Sequence, residues 1–308
     1  MNHIKKALPI AIVVLLTLPA VAHIPATTLL NGTITVLKWD SNAFPVTWQM
    51  NPTQSSNVTG TPGQRSVFQS AFQEWEDITT ALVSFTEGAL TDASVKPDGD
   101  DGINLITTNV TEEEFNNLGA GAIGLAIPIS INGVTQEVDI MFNPTTSFST
   151  EGTTPGDRID LESVATHEVG HLLGLDHSNI LAATMFPSVV AGSNHPRDTE
   201  LDDQIGVSAL YPVPTFAAST GSLSGTVRTM ENVAVYGALV VAIGSGGQAV
   251  ASQVTDPSGQ YTMTGLPPGS YTIYAEPMNQ PFQFGNAPSL AETYPGESIN
   301  SNFTVRFR

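Results

Sequence analysis

Apolar residues recur at three- and four-residue spacing in two stretches of the chain and alternate over short runs elsewhere. Between Gln64 and Thr80, the residues Val67, Ala71, Phe72, Trp75 and Ile78 share one helical face, which predicts an amphipathic helix packed on a core. A second helix is predicted from Asp160, whose side chain can cap it, through Leu161, Val164 and Ala165 and beyond Leu172. From about Lys38 to Tyr211 these helices are mixed with short extended runs. From Gly221 onward the chain changes to short β-like runs bounded by Gly/Pro turns. Between the two lies a stretch from Pro212 to Thr220, rich in proline and small residues, that reads as a linker. Two bodies of different texture suit a chain of 308 residues.

The N-terminal residues have a pattern of their own. Lys5 and Lys6 precede an apolar run from Ala7 to Leu18, and Ala20-Val21-Ala22 offers a small-x-small cleavage site. The run is short for a spanning helix and is broken by Pro9 and Pro19. A cleaved export signal over residues 1–22 is therefore expected, leaving a mature chain that starts at His23, is secreted to the extracellular space or periplasm, and keeps no stable membrane anchor. Cleavage would move the formal charge from −19 to −21, since two of the 10 basic and none of the 29 acidic groups are lost. Such an acidic surface excludes a nucleic-acid partner, whose affinity comes from Lys and Arg displacing counterions. The absence of cysteine excludes disulfides, thiolate metal sites and a cysteine nucleophile. Metal chemistry in this chain must use His, Asp or Glu.

The second helix carries such residues in the run His167-Glu168-Val169-Gly170-His171-Leu172-Leu173-Gly174-Leu175-Asp176-His177. Positions i and i+4 lie on one face of a helix, so His167 and His171 can present two imidazoles to one ion. Glu168 sits one step round, within reach of a metal-bound water without being a ligand itself. Gly174 lets the chain leave the helix with φ above zero, and the turn can return His177 as a third ligand. Three neutral imidazoles leave a fourth zinc position open to water, the arrangement of a catalytic site.

With these residues the sequence resembles the metzincin metallopeptidases, and within them the matrixin-like group. The resemblance includes Ser178 directly after the third histidine and Thr184-Met185-Phe186-Pro187, similar to the family's methionine turn, with Met185 eight residues past His177. It extends upstream to Phe68 through Trp75 and downstream to Leu201-Asp202-Asp203-Gln204-Ile205-Gly206 and Leu210-Tyr211. The resemblance implies an α+β fold, a metzincin-type catalytic domain of twisted mixed sheet with helices, over residues 23–211. It also implies a zinc metalloendopeptidase acting on proteins or peptides, with His167, His171 and His177 as zinc ligands, Glu168 as general base and Met185 beneath the metal. In the family an edge strand above the cleft pairs with extended substrate. Ala122 to Ile127 is the best match here, although its apolar run reads equally as a core strand.

The chain departs from the animal matrixins in two ways that bear on metal and latency. Without cysteine, a cysteine switch cannot operate. No histidine lies between His23 and His167, so the family's second, structural zinc is not expected and one catalytic zinc per chain is. His195, in the run from Ser193 to Arg197, reads as a solvated loop residue. Calcium is a candidate second ion: Asp98, Asp100 and Asp101 cluster with Gly99 and Gly102, and Glu137 and Asp139 lie near the segment Val138 to Asn143 that matrixin-like sequences use around metal sites. The same cluster lacks the EF-hand pattern, and a solvated acidic loop is the favoured reading.

Residues 221–308 show Leu223 to Val227, Gly237 to Ala242, Thr255 to Tyr261 and Gly265 to Tyr271 as strands and turns in alternation. An all-β, antiparallel sandwich is predicted. Its order resembles the carboxypeptidase regulatory-like modules with a transthyretin-like sandwich, which are accessory. Its partner is unknown. The alternative to an active peptidase is an exported adhesion or binding protein with an inactive peptidase scaffold, against which the intact Glu168 and three histidines argue.

Overall fold

The computed structural model describes residues 25–30, 33–96, 101–277 and 306–307. The segment read as an export signal, His23, and Asp98, Gly99 and Asp100 of the acidic loop lie outside the described residues. The described chain opens with an antiparallel hairpin, β1 (Thr27–Leu30) and β2 (Thr33–Val36). Then follow β3 (Val46–Met50), β4 (Val58–Thr59), α1 (Gln64–Glu76), β5 (Phe85–Glu87), β6 (Asn104–Thr107), α2 (Glu112–Gly119), β7 (Gly124–Ile131) and β8 (Val134–Phe142). Five of these strands form one mixed sheet in the order β5-β3-β6-β8-β7. The first four run parallel, and β7 pairs antiparallel with β8. Parallel neighbours need a crossover, and α1 supplies it between β3 and β5. A tight turn suffices between β7 and β8, which leaves β7 on the sheet edge.

The face of α1 predicted to be apolar is the face that is buried, with Val67, Phe68, Ala71, Phe72 and Trp75 in the core. Phe72 stacks on Trp48 of β3 with ring centroids 4.5 Å apart, and Phe68 on Phe142 of β8 at 5.4 Å. The helix ends at Glu76, short of the expected Thr80, because Ile78 reaches the same core from the turn that follows. The helix α2 was not anticipated. A capping box between Thr111 and Glu114 holds its first turn, and Phe115 alone is buried, so it carries no apolar stripe to read.

Past β9 (Phe148–Ser149) and β10 (Ile159–Asp160) comes α3 (Leu161–Leu172), then α4 (Leu201–Leu210) and α5 (Phe216–Ser219). As predicted, Asp160 caps α3, accepting from the Ser163 N–H. The α3 helix packs on α1, where the Trp75 indole N–H donates to the Thr166 carbonyl at 2.9 Å. Its C-terminal carbonyls, which an isolated helix leaves without partners, accept from the Trp39 indole at Leu172 and from the Tyr211 hydroxyl at Leu173. The connection over 212–220 is tied to the body in front of it: Val213 N donates to Thr80 O, and Phe216 of α5 is buried.

The C-terminal part comprises β11 (Gly221–Thr226), β12 (Ala238–Ile243), β13 (Ala249–Val254), β14 (Gln260–Leu266), β15 (Thr272–Pro277) and β16 (Arg306–Phe307). They form two antiparallel sheets, β11-β14 and β13-β12-β15-β16. Val240, Ala242, Val250, Ala251, Met263 and Leu266 fill the space between them. The strand β12 is apolar on both faces because Leu239 and Val241 pack on the other side with Val254. Ile205 of α4 belongs to this same core, while Val207 and Leu210 of that helix belong to the core of the first body.

Candidate metal centre

The three histidines of the motif converge. His167 and His171 stand one turn apart on α3, and the turn after the helix brings His177 beside them, with one ring nitrogen of each within 4.8 Å of the others. Ring centroids are 4.7, 4.9 and 5.2 Å apart. Gly174 makes the return possible: its φ is +90°, and a Cβ there would lie 2.3 Å from the Leu37 carbonyl oxygen. The Nδ1 of His167 meets the Thr184 carbonyl at 2.8 Å, and that of His171 meets the Leu175 carbonyl at 2.8 Å. A carbonyl accepts only from N–H, so both rings carry their proton on Nδ1 and turn the lone pair of Nε2 to the centre. This is a neutral-imidazole donor set, and it fits zinc.

Glu168 is buried next to this cluster. Burial pushes its carboxyl up to about 8, against the pull of the Ala126 backbone N–H that hydrogen-bonds to it. A dication held by the three imidazoles would act in the opposite sense and favour the carboxylate. The edge strand β7 therefore does more than border the cleft: it touches the acid. Gly124 of β7 allows that contact, since a Cβ there would meet Glu168 Oε1 at 2.4 Å and Val164 Cγ1 at 2.8 Å.

Met185 is fully buried under α3. A Cβ on Gly170, between the two helical histidines, would strike its Sδ at 2.2 Å. Asp203 of α4 fixes this turn, accepting from Thr184 N at 2.8 Å and Met185 N at 3.0 Å. Ser178, next to His177, donates its N–H to the Met185 carbonyl at 2.8 Å.

The matrixin family model matches residues 38–212. The chain belongs to the matrixin family. Within this matrixin, residues 222–280 also match the carboxypeptidase regulatory-like domain. Metalloendoproteinase 2-MMP of Arabidopsis thaliana is 31% identical over 196 residues, covering 61% of this chain and 47% of that protein. Karilysin of Tannerella forsythia is 38% identical over 79 residues, 25% of this chain and 16% of its own length. Stromelysin-3 of Xenopus laevis is 41% identical over 84 residues, 27% and 17% respectively. The matrixin described here thus spans less than half the length of each of these relatives.

Other residues singled out in the sequence lie apart from the histidine cluster. His195 is exposed and stands 3.7 Å from a Glu200 carboxylate oxygen. Glu137 and Asp139 are buried and hold the loop in front of β6: Glu137 accepts from Asp101 N and Gly102 N, and Asp139 from Lys96 N and Leu105 N. Sequence reasoning did not find Gly124, Gly170, Asp202 or Asp203 as residues of the site. Two adjacent carboxylates opening a helix otherwise rich in apolar residues were the available sign, because buried Asp needs partners.

Proposed function

We propose that this matrixin is an exported zinc metalloendopeptidase with one catalytic zinc, held by His167, His171 and His177. The observation that carries the reading is the convergence of three imidazoles with the buried Glu168 beside them. Bound zinc supplies a Lewis acid that polarises the scissile carbonyl and makes water acidic enough to attack at neutral pH. Glu168 takes the water's proton and delivers it to the leaving amine. Met185 packs beneath the ligands and fixes their height. Extended substrate lies along β7, the edge of the mixed sheet. That placement supports the substrate-edge reading of 122–127 over the core-strand one.

Residues 1–22 act as the signal peptide, 23–211 as the peptidase, 212–220 as the connection and 221–308 as the accessory sandwich. Among the described residues no helix is long and apolar enough to cross a membrane. Calcium, the second ion weighed, would have to compete at Asp139 with loop amides on both carboxylate oxygens and at Glu137 with two amides on Oε2, so the acidic loop is read as held by its own backbone. Millimolar calcium is expected to leave the melting temperature unchanged, and a clear rise would assign an ion to that loop.

The deciding experiment compares casein hydrolysis by the mature chain and by Glu168→Ala at matched zinc content. Activity should disappear in the variant while one zinc per chain remains. Two zinc-loaded proteins that both leave casein and peptide libraries intact would sink the peptidase reading.

A further inference from the structure

The third histidine is not on a helix, so its position depends on the segment after α3. Ser178 is the anchor of that segment. It is buried, its Oγ accepts from Ile180 N at 3.0 Å, and its hydroxyl donates to Asp202 Oδ2 of α4 at 2.7 Å. Asp202 is itself 1% exposed, and its other oxygen, Oδ1, accepts the backbone N–H of Ser252 at 3.1 Å. Ser252 lies in the sandwich, on β13. Among the described residues that strand is on a sheet edge and pairs only with β12, so an outward amide there is free to leave the ladder. One carboxylate therefore joins the residue after His177 to a strand of the C-terminal domain. Its neighbour Asp203 holds the methionine turn, and Leu201 and Ile205 of the same helix pack into the sandwich core.

We propose that the C-terminal sandwich helps to position the third metal ligand, with Ser252 and Asp202 as positioning residues that act on His177 through Ser178. A buried carboxylate must have its hydrogen bonds met, and those to an ionised acceptor are among the stronger ones. Withdrawing the Ser252 amide leaves Asp202 short of a donor and loosens its hold on Ser178. The coupling is reciprocal: metal binding at His177 tightens the contact between α4 and β13, and that contact tightens metal binding. The sandwich thereby has a role at the peptidase site without touching substrate. The inference rests on the zinc reading above.

The test uses the full chain. In the wild type, single-residue amide exchange at Ser252 should quicken about tenfold when zinc is removed with a chelator, while the amide of Met263 in β14 keeps its rate. Ser252→Pro, which deletes the donor but no ladder bond, should release zinc to a chromogenic chelator about tenfold faster. It should also shift the d–d spectrum of the cobalt-loaded protein and lower kcat with little change in KM. Ser252→Ala keeps the N–H and should match the wild type in every readout. Exchange at Ser252 that ignores a bound zinc, or a folded Ser252→Pro with wild-type zinc release and cobalt spectrum, overturns the inference. If Ser252→Pro does not fold, the exchange result on the wild type decides alone. A chain that binds no zinc at all would fail the peptidase reading first, and this inference with it.

Discussion

Glu168 and Gly124 show how much of the proposed chemistry depends on a missing side chain. The acid is buried and hydrogen-bonded to the backbone of β7 at Ala126, and it can lie there only because residue 124 has no Cβ. Gly124→Ala should therefore displace the carboxylate by a sizeable fraction of an ångström and leave the histidines alone. Misplacement on that scale costs about a hundredfold in rate. The expected result is a kcat lower by about that factor at one zinc per chain, with the melting temperature within a few degrees of the wild type. A variant with full kcat would show that the acid has room to work elsewhere. Gly170 is the parallel case for the metal: with Met185 Sδ so close, Gly170→Ala overpacks the floor of the site and should cost about 1–3 kcal/mol of stability, read by chemical denaturation. Neither glycine was legible as a site residue in the sequence. The motif leaves position 170 free, and position 124 is far from it along the chain. The three histidines and Glu168 were legible, since their geometry follows from the helical period and one turn.

At the scale of elements, the start of α3 sets the height of both helical histidines, and its N-cap is a buried ion pair. Asp160 is fully buried and accepts from Ser163 N, Thr154 Oγ1, and Nε and Nη2 of Arg197. Burial acts to raise its pKa, but the hydrogen bonds from Arg197, Thr154 and Ser163 together outweigh it and hold the carboxyl below its ordinary 3.8. A carboxyl with a depressed folded-state pKa stabilises fully above its unfolded value, and that stability is lost as pH falls through the folded one. Asp160→Asn should cost about 3 kcal/mol at pH 7, because it removes the buried charge that meets the Arg197 guanidinium and leaves only the longer ion pair with Glu162 at 3.3 Å. The gap between variant and wild type should narrow as pH drops below about 4. A gap independent of pH, followed by thermal melts between pH 3 and 7, would mean that the charge of Asp160 contributes nothing. The cap itself could be read from the sequence, where Asp precedes an apolar-periodic run. Its partner Arg197 could not, because it lies 37 residues on, at the end of a loop with no periodicity. The same reason hid α2, whose single buried Phe115 leaves no stripe.

Across the whole molecule, α4 is a wall shared by two cores. Val207 and Leu210 face the matrixin core, Ile205 the sandwich core, and Asp202 bridges to Ser252. The sequence shows a change of texture at Gly221, and from texture alone two independent bodies on a linker are the natural expectation. Contacts between residues 202 and 252 follow no local period, so pattern reading has no access to them. Two cores that share a helix should not melt separately. The full chain is expected to unfold in one calorimetric transition with matching calorimetric and van't Hoff enthalpies. Trp39, Trp48 and Trp75 are the only tryptophans of the chain and all lie in the first body, so indole fluorescence reports that body alone and should melt together with the far-UV signal of the whole. Ile205→Ala sharpens the test. It opens a cavity in the sandwich core from a helix of the matrixin domain, and should cost about 2–5 kcal/mol. If the cores are joined, the tryptophan transition falls with the rest. A tryptophan transition that stays in place while a second one appears below it would separate the two bodies and remove the mechanical basis for any influence of the sandwich on His177.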